Sequence, residues 1–347
     1  MNQPSNADAF EVLCLQAAAD GRKEILFGDS VDRARQTLRP FFVGTQFPSV
    51  YLEYPLIGDP FLDVTLLYND LERGLHVPSD LAQDTDAMLD WYAVERAKHE
   101  EIACGFEIDV KNPNLQSAAI HFQPRHHTEL VRPFCQTIGE EARGELYLDL
   151  AERMPKAWQL SFFGMFRGRP GSPLRVCGYL SIPEQQRCAK EPDRIRAAFD
   201  QIGFTAYDDE LIARVATLFE LAPEGTDFQF DVFPDGSLGE TLGIDFSFAI
   251  RQPHVVRESF ESGAGARCME LLQSWGAADY RWHLAADASF ARSIPVVTDD
   301  GELAPYGFTL LPQWVKARWT ACQQQPSKLY YLGSAGILDD GKGAKRS

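Results

Sequence analysis

Five pairs of strand-like runs, starting near residues 49, 104, 158, 227 and 312 and each separated from the next by helical sequence, constrain this chain more than any other feature. The first pair is SVYLEYPLIGDPFLDVTLLYND, divided at Gly58-Asp59-Pro60, and the second is CGFEIDVKNPNLQSAAIHFQP, turned at Asn112-Pro113-Asn114. Trp158–Ser181 turns through the Gly168–Pro173 stretch, and Asp227–Ile250 turns at Pro234-Asp235-Gly236. The last pair, Trp314–Thr320 and Lys328–Leu332, is joined by a polar turn ending at Pro326. Gly, Pro, Asn and Asp at such breaks supply the backbone angles that tight turns need. Helical patterns fill Ser30–Phe42, with Ser30 as cap, then Asp84–Glu101, Thr128–Arg153, Glu191–Glu220 and Val255–Trp275; Ala277–Leu311 is irregular. The repeat is architectural, an ααββ unit with little identity between copies. Ten antiparallel strands so arranged form either two open α+β domains or one barrel ringed by helices, which removes the exposed sheet edges.

A barrel requires one apolar face per strand for the helices and allows a polar face inside. Phe106 and Ile108 alternate with Glu107 and Asp109, and Ile120 and Phe122 with His121 and Gln123. Leu174 and Val176 alternate with Arg175, Cys177 and Tyr179; Phe228 and Phe230 with Gln229 and Asp231; Ile244 and Phe246 with Asp245 and Ser247. The polar positions carry Asp, Ser, Thr, Gln, His, Tyr and Cys more than Lys and Glu, which fits a lined cavity better than an open surface. In the last pair Trp314, Lys316 and Arg318 share a face, as do Lys328 and Tyr330. Cations gathered so closely repel one another unless an anion neutralises them, and a diphosphate is the natural candidate.

Composition narrows the partners. With 347 residues, 45% of them hydrophobic and 12% aromatic, the chain can bury a large core. A net charge of −17 argues against nucleic acid or an anionic membrane as partner, so any bound anion must be held by a local cationic cluster. Apolar runs are too short for a membrane helix and the N-terminus lacks a signal-peptide pattern, so a cytoplasmic protein is expected. Seven scattered cysteines make neither a CxxC nor a Cys/His cluster. His126 and His127 read as surface residues because adjacent side chains point apart, and Cys177 reads as packing. GRPGSP at 168–173 lacks the Lys-Ser/Thr of a phosphate loop.

The whole pattern resembles the αββα-barrel prenyltransferases, a group with aromatic, indole and cyanobactin-type peptide members. CGFEIDVKNPNLQSAAIHFQP resembles a hairpin of the cyanobactin type, and SKLYYL resembles that family's last strand. The resemblance implies a ten-stranded antiparallel β-barrel of five hairpins surrounded by helices, one domain over residues 30–335, with a polar segment at 1–29 and a disordered tail at 336–347. It implies transfer of an isoprenyl group from an allylic diphosphate to an aromatic or peptide side-chain acceptor. Carried onto this sequence, it gives Arg175, Lys316, Arg318 and Lys328 to the diphosphate, Tyr179 and Tyr330 to shielding the carbocation, and Glu53 and Asp63 to orienting or deprotonating the acceptor. No DDxxD is present, so no metal is required and magnesium is optional. The inward acids Glu107, Asp109, Asp231 and Asp245 keep a second reading open: a non-prenylating barrel that binds or tailors a peptide, with or without a metal.

Overall fold

The computed structural model describes residues 2–42, 47–68, 85–99, 101–110, 118–298 and 300–338. Eleven strands make a single sheet: β1 Ser49–Pro55, β2 Asp63–Tyr68, β3 Ala103–Ile108, β4 Ala119–Gln123, β5 Trp158–Met165, β6 Leu174–Leu180, β7 Thr226–Val232, β8 Leu238–Ser247, β9 Phe290–Val297, β10 Leu303–Thr320 and β11 Gln323–Ile337. Neighbours run antiparallel, and because β11 pairs with both β10 and β1, ten of the strands close into a barrel. The eleventh, β9, pairs with the first half of β10 from Leu303↔Val297 to Leu310↔Phe290, while the second half of β10 pairs with β8.

Helices occupy the longer connections. α1 Asn6–Ala17 and α2 Ser30–Leu38 precede β1; α3 Thr85–Arg96 leads into β3; α4 Val131–Thr137 and α5 Glu141–Arg153 link β4 to β5; α6 Ile182–Lys190, α7 Asp193–Ile202 and α8 Asp209–Leu221 link β6 to β7. After β8 come α9 His254–Glu261, α10 Ala264–Ser274 and the short α11 Ala285–Ala288. Hairpin turns therefore gather at one end of the barrel and helical connections at the other. The sequence explains each helix locally. In α7, Ile195, Ala198, Phe199 and Ile202 recur at helical spacing and are all buried, Asp193 suits the positive N-terminus, and Gly203 ends the helix at φ 84°. The Asp208 carboxylate accepts from Leu211 N at 2.8 Å to cap α8, a contact worth about 1 kcal/mol.

The predicted alternation holds. Leu52, Val64, Phe106, Phe122, Val176 and Phe230 face outward into one continuous core with the helices. Several details differ from the sequence reading. Residues 1–29 are not merely a polar lead-in: Phe10, Leu13 and Cys14 of α1 are buried in that core. Ser30 does not cap α2; Asp29 precedes it, and the Ser30 hydroxyl donates to the Phe27 carbonyl. The last hairpin is longer than expected and turns on Ala321-Cys322, both at positive φ, while Pro326 lies within β11 where the β10 register shifts. A proline with no N–H to donate is tolerated at such an irregularity. Strand β9 lies in the stretch read as irregular, and β11 reaches Ile337, inside the expected tail. The Asn112-Pro113-Asn114 turn lies outside the described residues. None of the described helices is long and apolar enough to cross a membrane.

Candidate active site

Register decides which inward side chains meet. Asp227, Asp245, Lys316 and Lys328 stand side by side across β7, β8, β10 and β11, and the next row sets Trp314, Tyr330, Glu53 and Asp63 side by side across β10, β11, β1 and β2. A third row sets His121, Gly164, Arg175 and Asp231 across β4 to β7. These rows surround an interior cavity of about 310 Å³ whose lining includes Tyr51, Glu53, Glu107, His121, Gln123, Arg125, Phe162, Arg175, Asp227, Gln229, Asp245, Trp314, Lys316 and Tyr330.

One wall is aromatic. The Trp314 and Tyr330 rings stack with centroids 5.3 Å apart, and Tyr51 lies against Trp314 at 5.0 Å. Lys316 Nζ stands 4.9 Å from the centre of the Tyr330 ring. The electron-rich face of a tyrosine attracts a cation at this distance. Burial, with Glu53 close by, pushes the Tyr330 phenol well above its ordinary pKa, so it stays neutral.

The cations are not left to repel one another, nor do they wait bare for an anion. Lys328 is ion-paired to Glu53 and lies 3.2 Å from Asp63. Lys316 donates to Gln229 Oε1 at 2.8 Å and lies 3.7 Å from Asp245, and Arg175 Nε donates to Asp231 at 2.9 Å. Half-buried Arg318 is different: among the described residues its guanidinium has neither a hydrogen bond nor an ion pair. At the hairpin end, Phe166 sits between two guanidiniums, Arg169 at 3.8 Å and Arg175 at 4.4 Å, and Arg169 donates to Glu107 at 2.9 Å.

Burial and charge pull the carboxylates apart in pKa. Burial would raise Glu107, but His121, Arg169 and Arg175 around it hold it well below its ordinary value. Burial likewise opposes ionisation of Glu53, and Lys328 overcomes it, leaving the carboxyl lowered. For three aspartates burial wins: Asp63 is pushed up to about 7, Asp227 to about 7 with Asp245 adding repulsion, and Asp245 to about 6 despite Lys316. Around neutral pH the interior thus holds carboxyls able to give or take a proton.

Of the predicted site residues, Glu53, Arg175, Lys316 and Tyr330 line the cavity. Asp63 and Lys328 join it through the Glu53 ion pair, and Arg318 occupies the next inward position of β10 after Lys316. Tyr179 is 40% exposed and packs on the backbone of Gly225, away from the lining. Of the four inward acids, Glu107 and Asp245 line the cavity, Asp231 pairs with Arg175, and Asp109 is exposed. Cys177 is buried, which raises its thiol far above reactivity. Sequence reasoning passed over Asp227, which simply continues the alternation of Gln229 and Asp231. It also passed over Phe162, which a bulge between Leu160 and Phe162 turns inward, and Arg125, which lies beyond β4 where no period applies. Among the described residues, Trp314 Nε1 and Gln123 Oε1 are buried without a hydrogen-bond partner, which leaves the lining a donor and an acceptor to offer a ligand.

Sequence comparison finds no matching family model and no matching curated protein. Comparison of structures does find neighbours. The 5-dimethylallyltryptophan synthase from Streptomyces coelicolor superposes with a TM-score of 0.51 at 13% identity, covering 95% of this chain and 98% of that one. AnaPT from Neosartorya fischeri gives 0.53 at 10% identity, covering 96% and 93%. The chain has the αββα-barrel fold. A third αββα barrel, PriB in its binary complex with product diphosphate, matches at 0.50 with 10% identity over 95% of this chain and 96% of its own. At these identities the likeness speaks for the αββα barrel and leaves the chemistry to be argued from this chain's own interior.

Proposed function

We propose that the barrel is a prenyltransferase that moves a short isoprenyl group from its diphosphate to an aromatic or peptide side-chain acceptor. The observation that carries this reading is the meeting of Arg175, Lys316 and an aromatic Tyr51–Trp314–Tyr330 wall in one cavity. The neighbouring structures agree with it: one is a dimethylallyltryptophan synthase and another was captured with product diphosphate.

The diphosphate lies against Lys316, Lys328, Arg318 and Arg175, whose ammonium and guanidinium groups neutralise charge as the allylic C–O bond breaks. Arg318 is uncommitted and engages it first. Protons from solvent then settle on Asp245 and Asp63, as carboxyls raised to about 6 and about 7 allow, which frees Lys316 from its ion pair and leaves Lys328 balanced by Glu53 alone. The allyl cation is held on the faces of Tyr330 and Trp314, which stabilise it without offering a nucleophile and keep water away. The acceptor attacks carbon, and the proton it loses passes to Glu53, whose lowered pKa keeps it ionised. No step calls on a metal. A cavity of about 310 Å³ stands at the small end of ligand sites and favours dimethylallyl over farnesyl diphosphate.

Thermal melting with dimethylallyl, geranyl and farnesyl diphosphate tests the donor site. At a concentration near 100 Kd the preferred donor should add about 2.7 kcal/mol of stability, and Lys316→Ala should abolish the shift. Absence of a shift with all three in folded protein would overturn the proposal. Weight would then move to a peptide-binding barrel, which the four lining carboxylates Glu53, Glu107, Asp227 and Asp245 would serve with a cationic ligand.

A further inference from the structure

His127, set aside as half of an adjacent pair, acquires partners from other parts of the chain. Its ring lies 4.3 Å, centroid to centroid, from that of His99, which follows the last turn of α3. Its Nδ1 is 3.1 Å from Glu129 Oε1, and Glu95 Oε2 is 3.7 Å from His99 Nε2. His99, His127 and Glu129 each present one ligand atom, and the three atoms lie within 4.8 Å of one another. The grouping stands outside the cavity lining.

We propose that His99, His127 and Glu129 form a binding site for a divalent transition metal of the zinc type, outside the barrel. The donor set is the first argument. Two imidazoles and a carboxylate suit zinc and its neighbours, whereas magnesium and calcium prefer oxygen alone. Geometry is the second. Zinc bonds of roughly 2.0–2.2 Å place tetrahedral donors on the order of 3.4 Å apart, so the ring and carboxylate need only rotate inward by a small amount. The backbone is already fixed on both sides. Arg96 Nη1 donates to the His99 carbonyl at 3.3 Å, His127 N donates to Pro124 O at 2.9 Å, and Leu130 N donates to His127 O at 3.0 Å. Half-exposed rings leave a coordination position open to water, and Glu95 adds negative charge beside His99.

The ion ties the end of α3 to the segment between β4 and α4. That segment carries Arg125, at φ 55° and in the cavity lining, two residues before His127. Metal binding therefore fixes the approach of one lip of the barrel without entering the site of chemistry.

The test is calorimetric titration of chelator-treated, full-length protein with Zn²⁺. One ion per chain is expected, with binding abolished in His99→Gln and in His127→Gln, and weakened about tenfold in Glu95→Gln as for a neighbouring charge that tunes a metal site. All of these side chains lie at least partly in solvent, so melting temperatures measured in chelator should match the parent protein. Spectroscopy of the parent loaded with Co²⁺ needs no variant: d–d bands without sulfur charge transfer support nitrogen and oxygen ligands. Failure of the folded parent to bind stoichiometrically, wild-type affinity in both histidine variants, or a thiolate charge-transfer band pointing to Cys322 would each overturn the site.

Discussion

Asp227 shows how much a single inward residue can cost. It sits in the cavity lining opposite Asp245, and burial with that repulsion raises its pKa from 3.8 to about 7. A carboxyl raised on folding holds its proton in the native state where the unfolded chain has lost it, so between pH ~4 and ~7 stability falls as pH rises. Above pH 7 the full cost of ionisation is present. At 1.36 kcal/mol per pH unit the span amounts to roughly 4 kcal/mol, and partial solvation of the side chain reduces it to about 2 kcal/mol. Asp227→Asn should therefore raise stability at pH 8 by about 2 kcal/mol and leave it nearly unchanged at pH 4, as read by denaturant melts at both values. Equal stabilisation at both would mean that the carboxyl is not desolvated as its position implies. The inward set containing Asp227 was legible, because alternation with buried Phe228 and Phe230 fixes the face. What alternation cannot tell is partnership. Lys328 meets Asp63, and Arg175 meets Asp231, across distances in sequence that only register between strands can define.

At the scale of elements, the five hairpins could be read because each strand alternates and each turn carries Gly, Pro, Asn or Asp. The exceptions have local causes. A bulge at Leu160/Phe162 reverses the phase of β5, and β9 alternates little in burial because most of it is exposed. The turn after β10 has no turn residue at all, yet Ala321 and Cys322 adopt φ 47° and 65°. A two-residue hairpin needs both central residues left-handed to match the twist of its strands, which favours Asn-Gly and costs other residues roughly 1–2 kcal/mol each. Ala321→Asn combined with Cys322→Gly is expected to stabilise the protein by about 1–2 kcal/mol. An unchanged or lower melting temperature would show that the turn gains from its present residues something the backbone does not reveal.

The whole molecule works against its own ligand at long range. A charge of −17 surrounds an interior proposed to take a diphosphate, so the anion is repelled until it reaches the mouth. Raising ionic strength from about 0.01 to 0.15 M shortens the screening length from about 30 to 8 Å and should speed association of the prenyl diphosphate, the reverse of ordinary electrostatic steering. Stopped-flow binding at several salt concentrations checks this. An association rate that falls with salt would mean that Arg125 and its neighbours at the lip outweigh the global field. The barrel itself depends on contacts between chain ends: β1 pairs with β11, and Tyr54 stacks on Tyr331 at 5.7 Å. The strand pattern alone allows either closure or two open sheets, since no single strand records which partner it meets last.

Strand β9 has one further consequence. A closed barrel has no edge to offer, but β9 adds a strand outside the closure and so restores one, bridged only at Val297 by Asn2 among the described residues. Pro295 interrupts the row of donors along that edge, and Arg292 is exposed on it. Proline and charge on an open strand are how β proteins keep foreign strands from docking. The seam most open to self-association is thus guarded by two residues, and the long hairpin that completes the cavity wall can be extended without becoming a template for aggregation.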